Sequence, residues 1–338
     1  MKRTEHSRRT HRPPAAQVRT LQAWLDEATA QITAAEVSLE SGMQEPCLEA
    51  EYLAYHALLR CEAGAEKPGG RALRGRAAAR AVKRWQARLQ QPVPPAFPAI
   101  FADFLAHRLQ HRLPAAYIIG EAPFAGYRFA VTPDVLIPRS RLENLLDDPA
   151  RLRRLLGTRR IKRILDLGTG SGCLAIAFAL AFPEARVDAT DISPAALQVA
   201  VGNGRRFKLG ERLQCLHSDL FSRLDGRRYT LIVTNPPYVS QAGMAALPAE
   251  YGHEPALALD GGVDGLALVE PILRQAADFL TTKGVLICEV GDDTGEQLMA
   301  RWPDLPVEWI YFHFGASGVF AARREPLARW VQHTFGRP

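Results

Sequence analysis

Several features that would place this chain in a special class are missing. Its five cysteines (Cys47, Cys61, Cys173, Cys215, Cys288) are an odd number and form no CxxC pair. That argues against a disulfide framework or a metal site, and fits a reducing compartment, the cytoplasm. No apolar run reaches the ~18 residues that a membrane span needs. The most apolar stretch, 164–182, carries Asp166, Gly168, Gly170, Ser171 and Gly172 in its first half. The first residues lack the apolar segment of a secretory signal; Arg-rich and Pro-bearing, 1–20 read as a disordered basic arm.

What remains is an ordinary globular composition. The chain has 338 residues, 47% hydrophobic and 23% charged, which suggests two domains. The net charge of +6 is unevenly spread. Residues 1–162 hold 26 Lys and Arg against 16 Asp and Glu, whereas 163–338 hold 16 against 20. The basic half suits a polyanion, or a partner sitting on one, and so points to RNA proximity; solubility is the plainer use of such charge.

Apolar residues at 21, 24, 25, 28 and 32 predict one face of a helix. Further helices are expected over 48–59, 77–89 and 101–112, with a Gly- and Arg-rich insertion at 62–80 and a Pro-rich connector at 91–98. Residues 21–115 thus read as a small helical domain. Over 116–140 the pattern predicts a hairpin linker pairing 127–131 with 135–137, followed by a helix at 142–156. From residue 163 strands (164–167, 186–190, 213–217, 231–234, 284–290) alternate with helices (173–181, 194–206, 269–280). That alternation predicts a mainly parallel sheet covered on both faces. Segments 309–314 and 318–321 read as a terminal antiparallel pair. The catalytic domain spans 141–338 on this reading.

Three constellations carry chemistry. Asp166-Leu167-Gly168-Thr169-Gly170-Ser171-Gly172 lies between a strand and a helix, where glycines let a ligand approach the backbone. It is neither GxGxxG nor a nucleoside triphosphate loop. Asp191, 25 residues beyond Asp166 at a strand end, can accept both hydroxyls of a ribose; the alternative is a helix cap, which Ser193 can supply instead. Asn235-Pro236-Pro237-Tyr238 follows another strand. Its two prolines carry no N–H, so the carbonyls of Asn235 and Pro236 and the Asn235 side-chain oxygen are free to accept from a planar NH2 group. Tyr238 can pack against that plane.

Together these read as an S-adenosylmethionine-dependent methyltransferase acting on a planar nitrogen, by positioning and preorganised acceptors without an obvious general base. His107 and His111 have metal-pair spacing, but no third ligand is evident and no metal site is expected. His253 reads as a base or as a residue orienting its loop, and Cys288 as core.

The chain resembles the N(5)-glutamine methyltransferases of the translation machinery. The resemblance rests on Ala116-Tyr117-Ile118, Gly120-Glu121-Ala122-Pro123-Phe124, Val135-Leu136-Ile137-Pro138-Arg139, the 166–172 glycine motif, 235–238, His253-Glu254-Pro255 and Asp264-Gly265-Leu266. It covers about 105–325. Ser140 after Ile137-Pro138-Arg139, with 250–255, 287–291 and 318–320, is similar to the branch acting on large-subunit ribosomal protein L-3. That branch often has Gly-His-Gly-Thr where this chain has 40–43. The release-factor branch, a nucleic-acid adenine methyltransferase and a non-catalytic ribosome-assembly factor are the alternatives. The resemblance implies a Rossmann-like class I methyltransferase domain behind a substrate-binding helical one. It assigns Asp166, Gly168, Thr169, Gly170, Ser171 and Gly172 to the cofactor's methionine and ribose ends, Asp191 to the ribose, and Asp219 and Leu220 to the adenine. Phe124 closes over the site, and Asn235, Pro236, Pro237 and Tyr238 hold the glutamine, Asn235 also touching the cofactor. The implied substrate is free or within a pre-ribosomal particle.

Overall fold

The computed structural model describes residues 19–39, 43–62, 76–157, 160–312 and 318–336. The basic arm up to residue 18, residues 40–42 and most of the insertion (63–75) lie outside them.

The first part is helical: α1 (Leu21–Ala34), α2 (Pro46–Cys61), α3 (Arg76–Leu89), α4 (Phe97–Gln110) and the short α5 (Ala115–Ile119). Thr20 caps α1, and its buried residues Leu21, Leu25, Ala28 and Ile32 follow the expected period. Helix α4 starts four residues earlier than the sequence suggests. Pro98 sits in its first turn, where a missing N–H has no helical partner to lose. That extra turn buries Phe97 beside Phe101 and Phe104 in a core shared with Leu53 and Leu21.

Strands β1 (Glu121–Phe124) and β2 (Tyr127–Ala130) form the hairpin. The expected partner of 127–131 is wrong: 135–137 is not a strand. Ala125 and Gly126 both have positive φ (49° and 75°), a two-residue turn whose twist suits a hairpin closing backwards onto 121–124. The Ile137 N–H goes instead to Glu254, at 3.0 Å. The helix expected over 142–156 is two pieces, α6 (Glu143–Asp147) and α7 (Pro149–Leu156). Pro149 cannot donate into the preceding turn, and Asp148 caps the second piece by accepting from the Arg151 N–H at 2.9 Å.

The rest is β3 (Arg163–Leu167), α8 (Cys173–Ala181), β4 (Arg186–Asp191), α9 (Pro194–Arg206), β5 (Leu213–His217), β6 (Tyr229–Thr234), α10 (Gln241–Ala246), α11 (Val269–Phe279), β7 (Leu280–Glu289), α12 (Asp292–Arg301), β8 (Val307–Trp309), β9 (Val319–Arg323) and α13 (Arg324–Phe335). Sheet order is β5-β4-β3-β6-β7-β9-β8. The first five are parallel; β9 runs antiparallel to β7, and β8 antiparallel to β9. This is the expected Rossmann-like α/β methyltransferase fold with a mostly parallel sheet, and the terminal antiparallel pair is present with shifted ends. Helices α10, α12 and α13 go beyond the sequence reading. Gly295 inside α12 lowers its intrinsic propensity, but the tertiary structure uses it: a Cβ there would stand 3.1 Å from the Trp309 ring.

Apolar clusters cover both faces of the sheet. The chain leaves β3 toward β4 on one side and returns to β6 on the other. The crevice at the C-terminal ends of β3 and β6 is therefore the topological switch point where such sheets bind ligands. Register puts Leu167 opposite Thr234, so Gly168 and Asn235 leave the sheet side by side. The Thr234 hydroxyl donates to the Leu167 carbonyl at 2.9 Å and locks that register.

Candidate active site

The glycine turn leaves β3 with Gly168 at φ 68° and Gly170 at φ 52°. A Cβ at either would meet no atom within 4 Å, so the turn faces open space. Its far end is tight instead, with Gly172 packed on Ala200 of α9. Asp191 anchors the turn from the end of β4: one carboxylate oxygen accepts from the Gly170 N–H at 2.8 Å and the other from the Ser193 N–H at 2.9 Å. Burial pushes this carboxyl up, and those N–H donors pull it back. Ser193 caps α9 by accepting from the Ala196 N–H at 3.2 Å, so Asp191 is not needed as the cap. Each of its oxygens keeps a second acceptor position.

Asp166 is fully buried. Oδ2 accepts from the Thr169 hydroxyl at 2.6 Å and the Ala175 N–H at 3.0 Å, while Oδ1 has no partner. Burial pushes its pKa up to about 7. The buried Ser171 hydroxyl is also unpartnered. Asp219 and Leu220 follow β5 at the same sheet edge, beside Ser218, whose N–H donates to the Asp191 carbonyl at 3.0 Å. Phe124 is packed inside the core, edge-on to Phe129 at 6.2 Å between centroids.

Asn235 begins the second half of the site. Its Nδ2 donates to the Arg139 carbonyl at 3.1 Å, which fixes the amide's orientation. Its Oδ1 is buried and has no partner. A cavity of about 180 Å³ lies here, lined by Leu136, Arg139, Asn235, Pro236, Tyr238 and Tyr251 among others. Tyr238 is clasped from behind: a Cβ on Gly265 would stand 2.4 Å from its carbonyl, one on Gly261 2.7 Å from its Cα, and one on Gly291 3.1 Å from its ring. Thr294 Oγ1 donates to the Tyr238 carbonyl at 2.8 Å. Sequence reasoning thus named two clusters about 65 residues apart, and the fold brings them together at one sheet edge.

Residues 146–249 match the methyltransferase small domain family. The ribosomal protein uL3 glutamine methyltransferase of Bordetella pertussis is 45% identical over 227 residues, 67% of this chain and 75% of that protein. Its counterpart in Xylella fastidiosa is 46% identical over 222 residues, 65% of this chain and 70% of that one. This chain belongs to the family of ribosomal protein uL3 glutamine methyltransferases.

In this member of the uL3 glutamine methyltransferase family, several residues shape the site although the sequence reading gave them no role in it; Glu289 and Glu254 stand in stretches that carry the resemblance, and Asn203 stands in none. Glu289, at the end of β7, accepts from the Ser140 hydroxyl and from the Arg141 N–H, the latter at 3.0 Å. Burial raises its pKa to about 7, and burial together with Glu289 raises that of Tyr238. Glu254 binds Arg139 at 2.8 and 3.0 Å. Asn203, fully buried in α9, donates to the Ser171 carbonyl at 2.8 Å and exchanges hydrogen bonds with both backbone groups of Ala130. It ties the hairpin to the glycine turn. An Asn within the expected helix at 194–206 is all that the sequence offers, and sequence alone gives it neither its burial nor its partner. His253 Nε2 donates to the His111 carbonyl at 2.9 Å, so the residue joins its loop to the helical part.

Proposed function

We propose that this enzyme transfers the methyl group of S-adenosylmethionine to the side-chain amide nitrogen of a glutamine in ribosomal protein uL3. The observation that carries this reading is the buried, unpartnered Oδ1 of Asn235 in a cavity beside an open glycine turn.

The residues fit the cofactor. The turn leaves room where a Cβ would otherwise stand, and Asp166 Oδ1 and Ser171 Oγ are buried polar atoms without partners. Gly168, Thr169, Gly170, Ser171 and Gly172 would hold the methionine and ribose ends, Asp191 the ribose hydroxyls, and Asp219 and Leu220 the adenine. Phe124, in strand β1 of the hairpin, would close over the site. When bound, the sulfonium supplies an electrophilic methyl with a neutral leaving group.

An amide nitrogen is a poor nucleophile because its lone pair is delocalised. Asn235 Oδ1 and the backbone carbonyls beside Pro236 and Pro237 accept its N–H hydrogens, which orients the nitrogen and favours its pyramidal form. The prolines deny competing N–H donors, and Tyr238 packs on the amide plane. No base has to remove a proton before transfer; the methylated nitrogen sheds its surplus proton to solvent afterwards. Catalysis is then alignment and preorganised electrostatics.

Residues 21–115 would seat the protein substrate and 116–140 link the two parts. The exposed Arg80, Lys83 and Arg84 of α3 suit a substrate met beside RNA, as in a pre-ribosomal particle. Both fit a cytoplasmic enzyme; none of the described helices is long and apolar enough to cross a membrane. The test is mass spectrometry after incubating the enzyme and S-adenosylmethionine with unmethylated uL3 and, separately, with a class-one release factor. One methylated glutamine on uL3 is expected. Methylation of the release factor alone, or of neither, refutes the reading.

A further inference from the structure

A buried ionic cluster lies where the helical part meets the catalytic half. Arg108 of α4 is fully buried. It bonds Glu49 of α2 through Nε and, at 3.4 Å, through Nη2. The same Nη2 donates to the Ser38 carbonyl at 2.6 Å, and Nη1 donates to Glu250 at 3.3 Å. Glu250 also accepts from the Ser38 N–H at 3.0 Å and pairs with Arg112 at 2.9 Å. Such a cluster is a poor source of net stability, because desolvating the charges offsets much of their attraction. What it supplies is fixed geometry.

That geometry continues to the site through direct contacts. Glu250 lies in the short turn Ala249–His253, with Tyr251 next to it and Glu254 just beyond. The Arg139 guanidinium lies 4.9 Å from the centre of the Tyr251 ring and is held by Glu254. Glu254 also takes the Ile137 N–H, so it grips residues 137–139 at one backbone group and one side chain. The Arg139 carbonyl then accepts from Asn235 Nδ2. A cavity of about 240 Å³ opens along this path, lined from both parts by Ser38, Pro114, Arg139, Glu250, Tyr251 and Glu254 among others. It shares Arg139 and Tyr251 with the Asn235 cavity.

The orientation of Asn235 decides its use. With Nδ2 tied to Arg139, Oδ1 is the acceptor offered to an incoming NH2 group. Turned over, the side chain would set donor against donor. We propose that Arg108 is a positioning residue for methyl transfer. Its cluster sets the turn at 249–254 and, through Arg139, the orientation of Asn235. The helical part thereby fixes an amide that it does not touch. This rests on the reading of Asn235 as the group that holds the substrate amide.

Arg108→Lys keeps the charge but loses the fork that reaches both carboxylates. Its kcat on uL3 should fall roughly tenfold or more, the expected scale for a small misplacement of an aligning group. S-adenosylmethionine affinity, set at the distant glycine turn, should stay within about twofold, and amide hydrogen exchange should quicken at 249–254 and 137–139. Glu250→Gln, which keeps the shape, should show the same split more weakly, and it decides the matter if Arg108→Lys does not fold. Unchanged kcat in an active background refutes the proposal alone. So does a parallel fall in kcat and cofactor affinity, which marks general loosening. Wild-type enzyme that leaves uL3 unmethylated refutes the functional reading, and this proposal with it.

Discussion

The glycine turn and the Asn235 cavity share one sheet edge, yet one is assembled locally and the other from distant chain. The turn, its Asp191 anchor and the Ser193 cap all lie within 166–193, in one strand–helix–strand unit. The cavity gathers Leu136 and Arg139, then Asn235, Pro236 and Tyr238, then Tyr251, Ala258 and Leu259 from separate loops. It is held by contacts such as Asn235 to Arg139, Arg139 to Glu254 and Ser140 to Glu289, each spanning about a hundred residues or more. A local site depends on its own turn chemistry; a gathered site depends on every loop that reaches it. Cofactor binding should therefore tolerate damage elsewhere, whereas substrate alignment should not.

The sharpest way to break this comparison is Asn235→Ala. Removing a preorganised acceptor should lower kcat on uL3 by about 10²–10³-fold, on the scale of losing one oxyanion-hole donor, and spare cofactor affinity. Calorimetry showing equal losses of both would make Asn235 a structural or cofactor residue.

The two regions share one property, a buried carboxyl, and pH should expose it. Glu289 is raised by burial from 4.5 to about 7 and Asp166 from 3.8 to about 7. Between the lower and upper values the native state keeps protons that the unfolded chain releases. Stability should then fall as pH rises from about 4 to about 7, by on the order of 3 kcal/mol for each group, and level off above. Glu289→Gln and Asp166→Asn should each remove a share of that slope. Urea titrations across this pH range check it, and an unaltered slope in both variants would be the contrary result.

Asp191→Ala should weaken S-adenosylmethionine binding by about 10- to 100-fold, through lost hydrogen bonds to a charged acceptor worth ~1.5–3 kcal/mol. Unchanged affinity would remove Asp191 from the cofactor site. The smallest effect expected is that of Gly168→Ala. A Cβ at φ 68° costs ~1 kcal/mol of stability, read by chemical denaturation. Stability equal to wild type would mean that the turn relaxes easily.

The same local-versus-distant contrast explains what could be read early. The parallel sheet, the glycine turn after β3 and the Asn-Pro-Pro-Tyr turn after β6 follow from apolar runs and punctuation that adjoin in the chain. The hairpin partner did not, because 135–137 is as apolar as a strand should be. Only the positive φ at Ala125 and Gly126, and the capture of the Ile137 N–H by Glu254, send β2 back to β1. Helix α12 carries Gly295, a poor helix former, and the Trp309 ring packs close against it across the fold, a Cβ there standing 3.1 Å from the ring.

By itself the sequence determined the alternation of strands and helices, the open turn at Gly168 and Gly170, and the proline-locked acceptors at 235–238. Each depends on backbone freedom or restriction that a residue carries wherever it is placed. Only the tertiary structure decided that Arg139 would orient Asn235, that Glu289 and Asp166 would be buried enough to hold protons near neutrality, and that Arg108 would join the helical part to the site. Those properties belong to no single residue. They arise when desolvation and a partner far along the chain act on the same group at once.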